Sequence, residues 1–315
     1  MSSTPANDAP AVSRALRRSG NDTILSLLSH ELPGTDLTAL LTEALRVRSG
    51  RVTASQVLRD YQERGFATSD QLPLPALRAA EDLLFDTLPQ DFEVLSLAPI
   101  LPFGAHSAVT SIDQSRVVTT SRASEVSADP TVGLALAAAT RRTGTRDENV
   151  VRLAASQRVA RVIRVDGGRA VTIHFQLFGM VSAGRRGSGS QFGHEQIAAH
   201  VLFVVATLRA AGAKAITIRF DPAAAGPRAL AERISAQLGG APDLAVLIGD
   251  ARPQGREPYY TGLSYKVFTG FGDEKTEVAD GGLVNWTAKL LSDRREQMLV
   301  TGCGVERVAM VQQDS

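Results

Sequence analysis

The sequence predicts an α+β or α/β fold, and a change of pattern near Pro89 is what predicts it. Before that point large apolar residues recur at helical spacing; beyond it, β-branched and aromatic runs alternate with helical segments. Ahead of both, the first twenty residues are rich in Ser, Ala, Pro and Asn with almost no large apolar group. Such a segment buries too little surface to offset its ordering entropy, so residues 1–20 are expected to form a disordered tail.

Residues 21–74 read as an N-terminal helical region. Ile24, Leu27 and Leu28 recur at helical spacing, as do Leu37, Leu40, Leu41, Ala44 and Leu45, and Thr53 stands as an N-cap before Val57 and Tyr61. Pro33-Gly34, Ser49-Gly50 and Pro73-Leu74-Pro75 punctuate these helices. A fourth helix, from about Pro75 to Leu88 with Leu77, Leu83 and Leu84 on one stripe, opens a core domain over 75–315. After Pro89, strands are expected at Val94–Ile100, Arg116–Thr120, Val171–Ser182, Ala215–Phe220, Leu244–Ile248, Leu263–Phe268 and Leu299–Thr301. Helices are expected at 130–142, 194–211, 225–238 and 283–295. Asp129-Pro130-Thr131 opens the first of them as an N-cap followed by proline at the first helical position.

A chain of 315 residues with 43% hydrophobic and 21% charged content can bury one large core beside a smaller unit. Lys and Arg total 34 against 33 acidic residues, so the net charge of +1 gives no global field of the kind that marks a nucleic-acid binder. The single cysteine, Cys303, excludes an internal disulfide and a thiolate zinc cluster and fits a reducing cytoplasm. No signal peptide is expected, and no stretch approaches the ~18 apolar residues of a membrane span. His194 and His200 are six apart rather than four, so no metal site is expected and both read as solvated histidines. Gly184-Arg185-Arg186-Gly187-Ser188-Gly189-Ser190 approximates a phosphate loop, but without the lysine before its final serine it reads as a glycine-rich connection.

Chemistry concentrates near the C-terminus. Glu257-Pro258-Tyr259-Tyr260-Thr261-Gly262 is followed about forty residues later by Gly302-Cys303-Gly304-Val305-Glu306-Arg307. This pairing resembles the catalytic core of class II aminoacyl-tRNA synthetases, closest to the histidyl type. The resemblance spans about residues 75–312 and implies an α+β fold, a mainly antiparallel sheet flanked by helices. It implies that Tyr259, Tyr260, Thr261 and Gly262 line a substrate pocket and that Arg307 grips the γ-phosphate of ATP, with Glu306 beside it and Gly304 allowing close approach. Arg152–Arg164 followed by Ala170–Gly184 resembles the motif 2 hairpin. On that reading Arg158 holds the α-phosphate and the substrate carboxylate, Arg161 and Phe175 adjoin the nucleotide, and Gln176 lies in the returning strand. Arginines suit such a site because their fork donates paired bonds to phosphate; a surface position on the strand is the plainer reading of Arg158 and Arg161. Asp129-Pro130-Thr131 resembles, less specifically, the Arg-Pro-Glu-Gly-Thr segment that would place Thr131 at the substrate, and Gly281-Gly282 resembles the start of Gly-Gly-Arg-Tyr-Asp. Tyr259 and Tyr260 read equally as pocket residues or as a strand entry with one ring in the core.

Two departures bear on activity. The motif 2 glutamate is replaced by Ala160, and the second-strand glutamate that would receive a substrate ammonium is Val181. Each replacement removes charge-assisted contacts of roughly 1.5–3 kcal/mol, so the pocket is expected to favour a ligand without an ammonium. The insertion and the anticodon-binding domain of histidyl enzymes are also expected to be absent. The resemblance then implies a paralogue that binds a nucleotide or small carboxylate in a regulatory or accessory role and acts through a protein partner, or else a stand-alone adenylate-forming ligase using ATP and Mg²⁺. It further implies a homodimer paired through about 75–102, without tRNA as a partner.

Overall fold

A computed structural model describes residues 9–64, 72–144, 149–164, 170–185, 191–223, 225–250, 259–271 and 274–314. Asp166-Gly167-Gly168, where the sequence leads one to expect a turn, residues 186–190 of the glycine-rich stretch and Glu257-Pro258 lie outside these residues. The chain begins with helices α1 (Ala9–Ser19), α2 (Ile24–Ser26, continued by a π-helical turn to Glu31), α3 (Gly34–Ser49), α4 (Ala54–Arg64) and α5 (Leu74–Thr87). Within the stretch 1–20 the described residues Ala9–Ser19 form α1, whose alanines and arginines are strong helix formers even where little is buried. At the start of α4, Thr53 N–H donates to Gln56 Oε1 at 2.8 Å while Gln56 N–H donates to Thr53 Oγ1 at 3.3 Å, a reciprocal capping box. None of the residues described in α1–α4 is buried. In α5 the pattern changes, and Leu77, Ala80 and Leu84 enter the core.

The core alternates β1 (Glu93–Val94), β2 (Ile100–Pro102), β3 (Ser124–Val126), α6 (Pro130–Arg142), β4 (Val151–Arg164), β5 (Ala170–Arg185), α7 (Gln191–Ala210), β6 (Ile216–Pro222), α8 (Ala225–Leu238), β7 (Leu244–Ile248), β8 (Leu263–Phe271), β9 (Glu274–Val284), α9 (Trp286–Leu291), β10 (Glu296–Gly304) and α10 (Val305–Gln313). Eight strands form one sheet in the order β1-β4-β5-β10-β9-β8-β6-β7, in which only β1–β4 and β6–β7 run parallel. The fold is α+β with a mainly antiparallel sheet. Leu77 and Leu84 of α5, with α7, α8 and α10, cover one face against Ala154, Phe178 and Met180. Helices α6 and α9 cover part of the other against Leu153, Val181, Met298 and Val300. Arg142 near the end of α6 reaches Glu296 of β10 at 2.5 Å in a buried ion pair that fixes this helix to the sheet.

Three expected elements differ. The strand expected at Val94–Ile100 is two short pieces, since Pro99 supplies no donor for a continuous ladder. Arg116–Thr120 is not a strand: a 3₁₀ turn covers Gln114–Arg116, and Thr119 makes only an isolated bridge to Glu125. Where a helix was expected over 283–295, β9 runs to Val284 and α9 occupies only Trp286–Leu291. Strand β9 reads Glu-Lys-Thr-Glu-Val-Ala-Asp-Gly-Gly before it ends in Leu283-Val284, a stretch poor in β-formers, yet it pairs on both sides with β8 and β10. Its position in the sheet overrides its local preference.

His200 also departs from expectation. It is fully buried in α7, with Nε2 2.9 Å from Ser182 Oγ and Nδ1 2.6 Å from Thr301 Oγ1, and Thr301 in turn meets the Tyr265 hydroxyl at 2.6 Å. Burial, aided by Arg152, pushes its pKa down to about 3. The folded protein thus keeps His200 neutral while the unfolded chain takes up a proton near the ordinary value of 6.5. This contribution to stability is complete above pH ~6.5 and is lost as pH falls toward 3, by at most ~1.4 kcal/mol per pH unit. Urea midpoints measured between pH 7 and 4.5 are expected to fall less steeply in His200→Gln than in the parent protein; equal slopes would contradict this role.

Candidate functional site

A buried carboxylate organises the rim of a cleft on the α6 side of the sheet. Glu125 of β3 is fully buried and accepts from the backbone N–H of Gly104 and of His106, both at 2.8 Å, and from Gln114 Nε2 at 2.8 Å, while His106 Nδ1 lies 2.6 Å away. The other ring nitrogen, Nε2, accepts the Ala128 N–H at 3.0 Å, so His106 is neutral with its proton on Nδ1. Burial alone would raise the Glu125 pKa, but its hydrogen bonds outweigh that and hold it below the usual carboxylate range. The pair joins the loop bearing Ile112 and Arg116 to the segment bearing Asp129 and Thr131. Arg161 of β4 completes the connection: its Nε donates to Ala128 O at 2.7 Å, and one terminal nitrogen lies 3.3 Å from Asp129. Asp129 Oδ1 caps α6 by accepting from Thr131 N–H at 2.9 Å and from the Thr131 hydroxyl at 2.6 Å.

Two adjoining cavities make up the cleft. The inner one, about 310 Å³, is bounded by Asp129, Thr131, Tyr259, Tyr260 and Asp280; the outer, about 470 Å³, by Phe175, Glu277, Gly304, Glu306 and Arg307. Arg116, Arg161, Leu177, Asp280 and Gly302 border both. Tyr259 meets Tyr260 edge-on at 4.8 Å and the buried Trp286 at 5.4 Å, while the Tyr260 hydroxyl donates to Asp280 at 2.7 Å. Close approach here depends on Gly282, since a Cβ would stand 2.6 Å from the Tyr260 ring. Burial, and then the neighbouring carboxylates, raise both tyrosine pKa values well above normal, so the phenols stay protonated donors. The Arg161 guanidinium sits 4.9 Å over the Phe175 ring, a cation–π contact. Arg307, at the start of α10, donates to the Glu277 carbonyl.

The residues expected at a site divide in two. Thr131, Arg161, Phe175, Tyr259, Tyr260, Gly304, Glu306 and Arg307 line the cleft. Arg158 and Gln176 do not. In the β4–β5 hairpin Arg158 pairs with Gln176, and Arg161 with Ile173; opposed residues share a face and successive residues alternate. Arg158 and Gln176 therefore lie on the α5–α10 face, where Arg158 meets His174 Nδ1 at 2.8 Å and Gln176 Nε2 donates to Ser156 Oγ at 2.9 Å and Glu81 at 3.2 Å. Arg158 touches the site only indirectly, 3.9 Å from Glu306, whose carboxylate also accepts the Gln176 N–H. Ala160 shares the Arg158 face, so its lost carboxylate bears on no cleft contact. Thr261 and Gly262 border a separate groove with Asn285, Lys289 and Arg294. Val181 is wholly buried, but Asp129 and Asp280 supply carboxylates to the cleft all the same. Arg116, Glu277 and Asp280 were not foreseen; only the position of Asp280 directly before Gly281-Gly282 marked it in the sequence.

The sequence matches no model of a known protein family, and no curated protein sequence matches it. Solved structures do. An ATP phosphoribosyltransferase regulatory subunit/histidyl-tRNA synthetase from Bacillus halodurans superposes with a TM-score of 0.56 over 79% of this chain and 83% of that one, at 12% identity. The chain has a histidyl-synthetase-like fold. Apo histidyl-tRNA synthetase from S. aureus gives 0.56 at 13% identity over 78% of this chain and 69% of that chain. A histidine–tRNA ligase subunit from Alicyclobacillus acidocaldarius gives 0.57 at 16% identity over 78% and 96%. At such identities the likeness is one of fold, and it agrees with the class II synthetase-like core that the sequence motifs imply.

Removing the Glu125 side chain leaves His106, Gln114 and two backbone donors without their acceptor. Glu125→Ala is expected to lower the unfolding free energy by about 3–5 kcal/mol, as for other broken buried pairs. A loss under about 1 kcal/mol in urea denaturation would remove Glu125 as the organiser of the rim.

Proposed function

We propose that this synthetase-like paralogue binds a nucleotide or a small carboxylate in its cleft and serves a regulatory or accessory role rather than charging tRNA. The observation that carries this reading is the convergence of Arg116, Arg161 and Arg307 on one cleft beside the Phe175 ring. Three guanidinium groups in a concave site of this size suit an anion. Its arginines are already engaged by protein groups, Arg161 by Ala128 and Asp129 and Arg307 by Glu277. This favours binding over turnover, because a catalytic site holds its donors ready for charge that develops during reaction. The regulatory role draws on the Bacillus halodurans neighbour, whose name includes a regulatory subunit.

A second reading, an adenylate-forming ligase acting on an amino acid or related carboxylate, is favoured by the outer cavity. Phe175 offers a ring for a base, the arginines offer charge for phosphates, and Glu277 and Glu306 offer carboxylates for Mg²⁺ on those phosphates. When bound, ATP with Mg²⁺ supplies an activated phosphorus for a carboxylate to attack. The chain's part would be to orient both anions with Arg161 and Arg307 and to keep water from the inner cavity with Tyr259 and Tyr260. The cytoplasm is the proposed compartment; among the described residues no helix is long and apolar enough to cross a membrane. We also propose a homodimer through about residues 75–102, where Val94 and Ile100 leave about half their surface exposed.

Calorimetry with ATP and Mg²⁺ tests the nucleotide. Arg307→Ala is expected to weaken binding roughly 10- to 100-fold, the equivalent of one lost charge-assisted contact, with an unchanged fold by circular dichroism. An unchanged affinity would remove Arg307 from the site. Histidine-dependent pyrophosphate exchange is expected to be negligible, and robust exchange at ordinary enzyme concentration would establish the ligase reading instead.

A further inference from the structure

We infer that strand β7, at the outer edge of the eight-stranded sheet, pairs antiparallel with β7 of a second copy of this chain about a twofold axis at Val246. This surface lies apart from the cleft and stands whether or not the cleft takes a ligand. Strand β7 closes one end of the sheet and, among the described residues, pairs with β6 alone. Its five residues, Leu-Ala-Val-Leu-Ile, are all apolar, with no proline, charge or bulge of the kinds that blunt such edges. Leu244, Val246 and Ile248 pack against the core, whereas Ala245 and Leu247 lie on the other face, where Leu247 is 53% exposed. An apolar edge in this state is a template for another strand.

Hydrogen-bond parity selects the register. Ile216 N–H donates to the Asp243 carbonyl and Gly249 N–H to the Phe220 carbonyl, both at 2.8 Å, so the odd-numbered residues of this strand turn their backbone groups to β6. Those of Leu244, Val246 and Ile248 turn outward, although the Leu244 N–H already donates to Ala241 O at 3.1 Å. With the axis at Val246, that residue exchanges both bonds with its own copy, and each Ile248 N–H meets the outward Leu244 carbonyl. Ala245 then stands opposite Leu247 as an apolar pair. Asp243 falls opposite Gly249, so no like charges meet, and Arg209 answers its charge at 2.7 Å. An axis at Ala245 would set Ile248 against Pro242, which has no N–H to give; one at Leu247 would set Asp250 against Leu244. A foreign extended peptide would find the same backbone groups but no side-chain pocket, since no β7 residue lines either cleft cavity or the Asn285 groove. Pairing with its own copy consumes the edge in a closed twofold.

Engineered cysteines in the full chain read this register directly, and Cys303, being buried, does not compete. Opposed residues of a non-hydrogen-bonded antiparallel pair stand about 4.5 Å apart at Cα, within disulfide range. The double variant Ala245→Cys/Leu247→Cys is therefore expected to give a covalent dimer with a copper–phenanthroline oxidant, and either single variant several-fold less of it. Leu247→Lys sets a charge at an exposed position and is expected to halve the mass measured by light scattering, with an unchanged circular dichroism spectrum. Val94→Lys, in the interface proposed over 75–102, is expected to leave the cross-link intact. A single variant cross-linking as fully as the double one, or no cross-link from any of them, would overturn the inference. A mass that falls with Val94→Lys and not with Leu247→Lys would overturn it in favour of the 75–102 interface. A parent protein that stays monomeric at high concentration would overturn it too and leave the edge to an extended peptide.

Discussion

The cleft depends on one buried carboxylate. Glu125 draws together two N–H groups, an amide and a histidine ring in a place that water does not reach, and its charge is tolerated there because four donors converge on it. From His106 the constraint passes to the backbone at Ala128, then to Arg161, and so to the face of Phe175. None of these groups need touch a ligand for the rim to hold its shape. Short irregular segments, of the kind that are otherwise the softest part of a fold, are thereby attached to the β4–β5 hairpin.

Much of this architecture was legible in the residues. Helix α6 falls where Asp129-Pro130 places it, α8 occupies the expected 225–238, and β7 runs from Leu244 to Ile248 as expected. These segments carry their own local instructions. Strand β9 does not, because charged and glycine residues become a strand only once β8 and β10 supply partners on either side. The same gap shortened the helix expected after it. His200 shows the opposite failure: a polar residue in an apolar helix reads as solvated until Ser182 and Thr301, far away in sequence, are found to satisfy both ring nitrogens.

At the site the limit was one of parity. The motif resemblance located the hairpin, but a strand has a period of two, and an error of an odd number of residues turns a side chain to the wrong face. Arg158 and Arg161 are three apart, so one faces the cleft and the other faces away. A motif fitted to a distant sequence does not settle parity, whereas pairing register does. Arg116 was hidden for another reason, since it enters the cleft from a segment with no resemblance to guide it, and Asp280 stands one residue before the Gly281-Gly282 resemblance, outside it.

The adjacent glycines of β9 carry a consequence of another kind. A Cβ on Gly281 would stand 2.7 Å from the Tyr265 hydroxyl, and one on Gly282 would stand 2.6 Å from the Tyr260 ring. Each glycine leaves a notch on its own side of the sheet, and a tyrosine fills each notch. The dipeptide is therefore required by the shape of the two rings, whatever molecule the cleft accepts and whether or not it is transformed. What the pair reports is the shape of the sheet around it, and a chain that put this fold to a different use would keep it for the same reason.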